Sequence, residues 1–273
     1  MSRHSWGSLL GRVAAALAAA LLCAEALAGQ PLTIYTEVSP PFQSLDAQGQ
    51  PAGFACEVVK ELQRRTGSQD PIQVVPWVRG YLAVQNEPYV ALFSMARTKE
   101  RLPLFRWVGP LADLHYAFFV TVDSRIVIRS MEDARRLRLI GVYKEDARDQ
   151  YLTAQGFRNL DRSVDALIPL RKLLAGRVDA IVSTRRGLAE LCRSLGTAPT
   201  ALKEAYPFLQ SQLYIAFSKG TPEPVVRKWS TALESMKKDG SFERLFHRYF
   251  PGEPLPAESK PTAPRTPPFT GPP

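Results

Sequence analysis

The stretch FSMARTKERLPLFRWVGP, residues 93–110, decides the fold: a short apolar run breaks into a basic loop. Arg97, Lys99 and Arg101 directly follow a segment with the composition of a buried strand. Such a loop is either a solvated turn without a role or a place that holds an anion. Because ligands of open α/β sheets bind beyond the carboxyl ends of strands, the elements around the loop decide between the two.

The chain before this loop alternates predicted strands and helices. Three short runs rich in β-branched and aromatic residues, at 32–36, 72–75 and 89–94, are predicted as strands. A helix is predicted in GFACEVVKELQRRTG (53–67), and a second is predicted to begin near Pro76. The order strand, helix, strand, helix, strand predicts a mostly parallel sheet with helices on its faces.

A second α/β cycle is predicted after residue 139, with strands near residues 139–143 and 160 and in DAIVS, and two helices close the fold after residue 222. Pro169 interrupts the helical pattern of this cycle and predicts a kink. Two long apolar runs, 114–122 and 213–217, are candidates for strands that cross between two lobes.

The amino-terminal residues 1–28 have the order of a signal peptide. Arg3 and Arg12 precede an apolar run, and Ala26-Leu27-Ala28 offers a small-x-small cleavage site. The run is too short for a membrane span of roughly 20 residues. We expect export to the periplasm with cleavage near Ala28, and a retained membrane anchor is the alternative.

Charge and composition exclude several classes of function. Loss of residues 1–28 changes the net charge from +9 to +8, and the basic residues are dispersed rather than interleaved with aromatic ones, which argues against nucleic acid. Cys56 and Cys192 lie far apart without a cysteine–histidine cluster, so no metal site and no cofactor are expected. The proline-rich residues 251–273 predict a disordered or extended tail.

Four breaks at predicted strand ends gather groups that could bind an anion: SPPF, Pro76-Trp77, SMART and YKEDA. Each is followed by a helix or turn whose free N–H groups can hold a negative charge. Phe42 and Trp77 add flat apolar faces. Arg101 adds a forked charge suited to a carboxylate.

The order TEVSPPF, GFACEVVKEL, VPW, SMARTKERLPLFRWVGPL, GVYKEDARDQYL, GRVDAIVST and LYIAFSKGTP resembles the family 3 solute-binding proteins over about residues 30–250. These are periplasmic receptors for amino acids and similar solutes that feed ABC importers. The resemblance implies the α/β fold of a type II periplasmic binding protein, with two lobes that are each a mixed sheet flanked by helices. Lobe 1 is expected to comprise 29–115 and 213–250, lobe 2 is expected to comprise 116–212, and the solute is expected between them.

The resemblance also implies a set of ligand-binding residues at the strand ends of both lobes: Phe42, Trp77, Ser94, Ala96, Arg101, Asp146 and Ala147. Arg101 follows Thr98 by three residues, which is the spacing of the family's carboxylate clamp. Phe42 and Trp77 match the aromatic walls, and the segment from Ser94 to Ala96 matches backbone contacts. The helix start at 146–147 matches backbone amides of the second lobe.

One position departs from the family pattern. Many amino-acid receptors of this kind place an aspartate after the strand that matches DAIVS, where it pairs with the ligand ammonium. This sequence has Thr184 there, and a threonine cannot neutralise an ammonium. Either Glu37 compensates or the solute lacks an α-amine. The sequence therefore favours a small carboxylate-bearing solute.

The function expected from the sequence is solute capture without catalysis, with an ABC permease of the inner membrane as partner. Two alternatives stay open. An enzyme on the same scaffold, similar to dehydratases of this fold, needs a general acid, and only Glu37 and Glu145 lie near the expected cleft. A periplasmic sensor for a membrane receptor would bind solute in the same way.

Overall fold

The computed structural model describes residues 30–257. The expected signal peptide lies outside these residues, and so do residues 258–273 of the proline-rich tail. The described strands are β1 Thr33–Thr36, β2 Ser44–Leu45, β3 Pro51–Ala52, β4 Ile72–Val74, β5 Val90–Ala96, β6 Arg106–Thr121, β7 Ile140–Tyr143, β8 Leu160–Ser163, β9 Ala180–Ser183 and β10 Leu202–Phe217.

The described α-helices are α1 Phe54–Thr66, α2 Trp77–Asn86, α3 Met131–Arg135, α4 Ala147–Ala154, α5 Leu167–Leu174, α6 Arg185–Ser194, α7 Glu223–Lys238 and α8 Ser241–Tyr249. Short 3-10 turns occur at 102–104 and 199–201. None of the helices within residues 30–257 combines the length and the apolar character needed to cross a bilayer.

Eight strands form one sheet in the order β4-β1-β5-β10-β6-β9-β7-β8. On one side β1 pairs in parallel with β4 and β5, and on the other β7 pairs in parallel with β8 and β9. The two parallel halves are joined by β6 and β10, which pair with each other in antiparallel fashion. The expected mixed α/β architecture is therefore confirmed.

The two crossing strands are longer than predicted. Each has 16 residues, whereas the sequence indicated only 114–122 and 213–217. Gly109 and Pro110 are residue types that commonly end a strand. The first half of β10 is polar and half-exposed. Antiparallel hydrogen bonds between β6 and β10 keep both strands continuous through these residues. The lobe boundaries expected near 115 and 212 fall inside β6 and β10.

Each half of the sheet has its own apolar core. In the first half Phe54 of α1 is fully buried and meets the rings of Phe242, Phe246 and Phe250 from α8 and the residue after it. In the second half the faces of β7 and β9 bury apolar residues against α4, α5 and α6. Cys56 and Cys192 are buried in different cores and are not bonded to each other.

Two local predictions differ from the structure. The prediction of a kink at Pro169 is wrong. The helix α5 begins at Leu167 and has the proline in its first turn, where no intrahelical N–H bond is lost. The hairpin of β2 and β3 follows the SPPF break and was not predicted, because each of its strands has only two residues.

Gly53 holds the SPPF loop against the start of α1. Its φ is +98°, and a Cβ atom there would lie 2.8 Å from the carbonyl oxygen of Phe42. We expect Gly53→Ala to lower the unfolding free energy by about 1–3 kcal/mol, because it combines strain with this clash. Gly49→Ala is the matched control, since its φ is +74° with no atom within 4 Å. Equal losses in chemical denaturation of the two variants would contradict the clash.

Candidate functional site

A cavity of about 150 Å³ lies between the two halves, where the ends of β1, β5, β7 and β9 approach each other. All the residues expected at the site line it: Glu37, Phe42, Trp77, Ser94, Ala96, Arg101, Asp146, Ala147 and Thr184. The structure thus brings the predicted residues together in one place. Their contact with a solute stays a prediction.

Arg101 is the largest fully buried side chain of the cavity wall, with 1 % of its surface exposed. Its Nε donates to Oε1 of Gln150 at 2.9 Å, and its Nη2 donates to the carbonyl of Glu145 at 3.2 Å. Its Nη1 donates to the carbonyl of Ala96 at 3.4 Å. The guanidinium also lies over the ring of Trp77, and these contacts fix its orientation.

The charge of Arg101 has no ionised partner in contact among the described residues. Its hydrogen-bond acceptors are a side-chain amide and two carbonyls, while Asp146 acts on it only at longer range. Burial lowers the pKa of Arg101, yet an arginine stays protonated at neutral pH. A buried cation without a counter-ion is unfavourable. A carboxylate in the cavity would therefore be strongly favoured at this position.

The carbonyl of Glu145 joins the two halves of the molecule. It accepts hydrogen bonds from Trp77 Nε1 at 2.9 Å, Arg101 Nη2 at 3.2 Å and Gln150 Nε2 at 3.2 Å. Glu145 has a φ of +61°, which is uncommon for a residue other than glycine. Trp77 and Arg101 come from the first half, so the described conformation is one in which the halves are closed on each other.

Glu37 makes a further contact across the cavity. The hydroxyl of Tyr143 donates to its Oε2 at 3.0 Å. Although part of the Glu37 residue reaches solvent, its carboxyl lies inside the cleft, where burial raises its pKa to about 7. Near neutral pH this carboxyl is consequently poised between its neutral and charged forms.

The start of α4 departs from the expected set of free backbone amides. Oδ1 of Asp146 accepts the N–H groups of Arg148 at 2.9 Å and of Asp149 at 3.0 Å, and its Oδ2 pairs with the Arg148 guanidinium. Because aspartate is a strong N-cap, it occupies two N–H groups of the first turn of α4, and its own N–H donates to the Tyr143 carbonyl at 3.4 Å. Arg148 lines the cavity as a second cation, which the sequence did not single out. Contact of the solute with the helix start at 146–147 stays a prediction.

Thr184 caps α6, and its Oγ1 accepts the N–H of Gly187 at 3.0 Å. No acid replaces it at the end of β9, where Ser183 precedes it. Arg97 does not line the cavity but lies over the ring of Tyr214, 5.0 Å from its centroid. Among residues 30–257 no group of three or more histidine, cysteine or acidic side chains is placed to hold a metal ion.

A wider hollow of about 440 Å³ lies beside the crossing strands and shares Phe42 and Thr184 with the cavity. Its two arginines are already paired: Arg185 with Glu204 at 2.6 Å, and Arg186 with Glu253. The narrower cavity is the better candidate, because its buried cation Arg101 lacks an ionised partner.

Comparison with known proteins shows similarity over nearly the whole chain. A curated relative, "Probable histidine-binding protein" from Neisseria gonorrhoeae, is 21 % identical over 259 residues, covering 88 % of this chain and 96 % of that protein. A histidine kinase sensor domain with similarity to periplasmic binding proteins superposes with a TM-score of 0.73 and 19 % identity. It covers 82 % of this chain and 98 % of that chain.

A mutant of ArgBP from T. maritima superposes with a TM-score of 0.70 and 19 % identity, covering 83 % of this chain and 98 % of that chain. These superpositions confirm the two-lobed fold of periplasmic binding proteins. The family described as bacterial extracellular solute-binding proteins, family 3, matches residues 32–252. The chain therefore belongs to this family.

Proposed function

We propose that the protein is a periplasmic receptor that captures a small amino acid between its lobes and delivers it to an ABC permease, without catalysis. The observation that carries the proposal is the buried Arg101 guanidinium on the cavity wall, whose contacts are all with neutral acceptors. The guanidinium also meets the Tyr81 side chain. The N–H groups that these contacts leave over can bind a solute carboxylate.

The cavity limits the size of the solute. Its space of about 150 Å³ admits one small molecule but not a peptide. Trp77 and Phe42 line the cavity and provide apolar area.

Glu37 is the acid that we assign to the solute ammonium, in place of the aspartate that Thr184 replaces. An ammonium against Glu37 favours its charged form and lowers its pKa in the complex. Because the free carboxyl has a pKa of about 7, affinity should fall by about tenfold for each pH unit below 7. Titration calorimetry at pH 5.5, 6.5 and 7.5 measures this slope. Affinity that rises on acidification would contradict an ammonium at Glu37.

Closure supplies the coupling between capture and delivery. Trp77, Arg101 and Glu37 of one lobe contact Glu145, Gln150 and Tyr143 of the other. A solute that adds contacts to both lobes binds the closed form more tightly and shifts the population toward it. A permease that recognises the closed form would then receive loaded receptor.

The test is a thermal-shift panel of L-glutamine, L-glutamate, L-histidine and L-arginine with the protein that begins at residue 29. Histamine and agmatine are the matched controls for histidine and arginine, because they lack only the carboxylate. We expect at least one amino acid to raise Tm in proportion to the logarithm of its concentration, and neither amine to do so. Stabilisation by an amine equal to that of its amino acid would contradict the carboxylate clamp.

Sensing is a second candidate function, favoured by the superposition on a histidine kinase sensor domain. Both functions use the same cleft, so the partner separates them. Genes for a permease and an ATPase beside this one would support transport, and a receptor kinase there would support sensing.

The pKa of Glu37, about 7, lies in the range of a general acid. This observation favours testing a catalytic role for Glu37. We assign it to binding, since its carboxylate accepts a hydrogen bond from the Tyr143 hydroxyl across the cavity. Proton NMR of each stabilising amino acid after overnight incubation should show no conversion, and product formation would contradict the assignment.

A further inference from the structure

Gln43 lines the cavity, yet neither polar atom of its side chain has a partner among the described residues. The residue is 1 % exposed, and both Oε1 and Nε2 are buried. Its backbone is held firmly, because its N–H donates to the Ser39 carbonyl at 3.1 Å and its carbonyl accepts the Ser39 N–H at 2.9 Å. The SPPF turn therefore fixes the backbone position that carries this side chain.

Burial without hydrogen bonds makes this amide costly to the folded chain. A buried polar group that loses its water and finds no partner is unfavourable, and an apolar side chain of similar shape is usually tolerated as well or better. Ser94, on the same wall, shares the property: its Oγ is buried without a partner and its φ is +60°. Strained residues of this kind cluster at binding sites.

The chemistry of the amide narrows what could satisfy it. A carboxamide offers a donor and an acceptor side by side, so a solute must present an acceptor and a donor in the same arrangement. A carboxylate satisfies only Nε2, and an ammonium or guanidinium satisfies only Oε1. A neutral imidazole has one donor and one acceptor, but they point in divergent directions and cannot pair with one amide together.

We propose that Gln43 pairs with a carboxamide group of the solute, so that the preferred amino acid has a neutral amide side chain. This inference rests on the proposed function, because Arg101 and Glu37 hold the main-chain groups of the same solute. Ser94 lines the same cavity and provides a further hydroxyl there.

The experiment is titration calorimetry of the wild-type protein and Gln43→Leu with four probes: L-glutamine, L-asparagine, L-glutamate and L-histidine. We expect the wild type to bind one of the two amides at least about tenfold more tightly than L-glutamate. Gln43→Leu should weaken that amide about 10- to 100-fold, since it removes two hydrogen bonds and leaves the solute amide buried and unpaired. Gln48→Leu, in an exposed loop nearby, is the control and should bind as the wild type does.

The Tm of the ligand-free variants separates binding from a structural role. We expect Gln43→Leu to melt at the same temperature as the wild type or higher, because the substitution removes unsatisfied polar atoms. A large drop in Tm, or an amide affinity unchanged by Gln43→Leu, would overturn the inference. Preference of the wild type for L-glutamate or L-histidine would overturn it as well, while leaving the receptor function standing. Failure of every probe and every panel amino acid to bind would instead contradict the receptor function itself.

Discussion

Replacing Arg101 with alanine should lower the affinity for the captured amino acid by at least 100-fold. Two charge-assisted hydrogen bonds to a carboxylate contribute roughly 1.5–3 kcal/mol each, and every 1.4 kcal/mol is about a factor of ten in Kd. The variant also loses the contacts of Arg101 with Gln150 and Glu145, which join the lobes. Calorimetry with the most stabilising amino acid of the panel measures the loss.

Lys99→Ala is the control for this prediction, because Lys99 is an exposed cation of the same loop and should leave Kd within twofold. Arg101→Lys keeps the charge but loses the planar fork, so its affinity should lie between those of the wild type and Arg101→Ala. If Arg101→Ala unfolds the protein, the lysine variant still tests the clamp. An Arg101→Lys variant that binds as tightly as the wild type would contradict the carboxylate clamp.

The ligand-free protein should lose stability as pH rises from 5 to 8, and Glu37→Gln should abolish this loss. The folded-state pKa of Glu37 is raised from 4.5 to about 7. The stabilisation is therefore complete below pH 4.5 and is lost as pH rises through 7. A full shift corresponds to about 3 kcal/mol, and we expect about 2 kcal/mol because the residue is partly solvent-accessible.

The measurement is the difference in Tm between the wild type and Glu37→Gln at pH 5 and pH 8. The Tm of Glu37→Gln minus the Tm of the wild type should be about 4–8 °C larger at pH 8 than at pH 5. Asp146, Arg148 and Arg101 also face Glu37, and they are unchanged in both proteins. Glu100→Gln, at an exposed position, should show no such gain. Parallel pH profiles of the wild type and Glu37→Gln would show that the carboxyl is not buried in solution.

Local sequence patterns were sufficient to predict parallel strands flanked by helices and to expect the candidate residues together at the strand ends. Strand ends such as those before Glu37 and within SMART converge on one edge of a parallel sheet, so residues distant in the chain meet there. The forked charge of Arg101 after a buried strand was informative for the same reason. These rules depend on a few residues at a time and need no knowledge of how the lobes pack.

The contacts between the lobes could not be predicted in this way. Gln150, Tyr143 and the Glu145 carbonyl acquire their roles only when the second lobe closes on Trp77 and Arg101. The Asp146 cap was missed as a competitor for the backbone amides, although aspartate before a helix indicates it. Gln43 has no local signature, because its unsatisfied amide is a property of packing.

The central claim is that the solute lies between the lobes with its carboxylate on Arg101. A crystal structure of the protein with the most stabilising amino acid of the panel tests it most directly. We expect the carboxylate within hydrogen-bond distance of the Arg101 guanidinium, inside the cavity lined by Trp77 and Glu37. An amino acid bound outside this cavity, or one with its carboxylate turned away from Arg101, would contradict the claim.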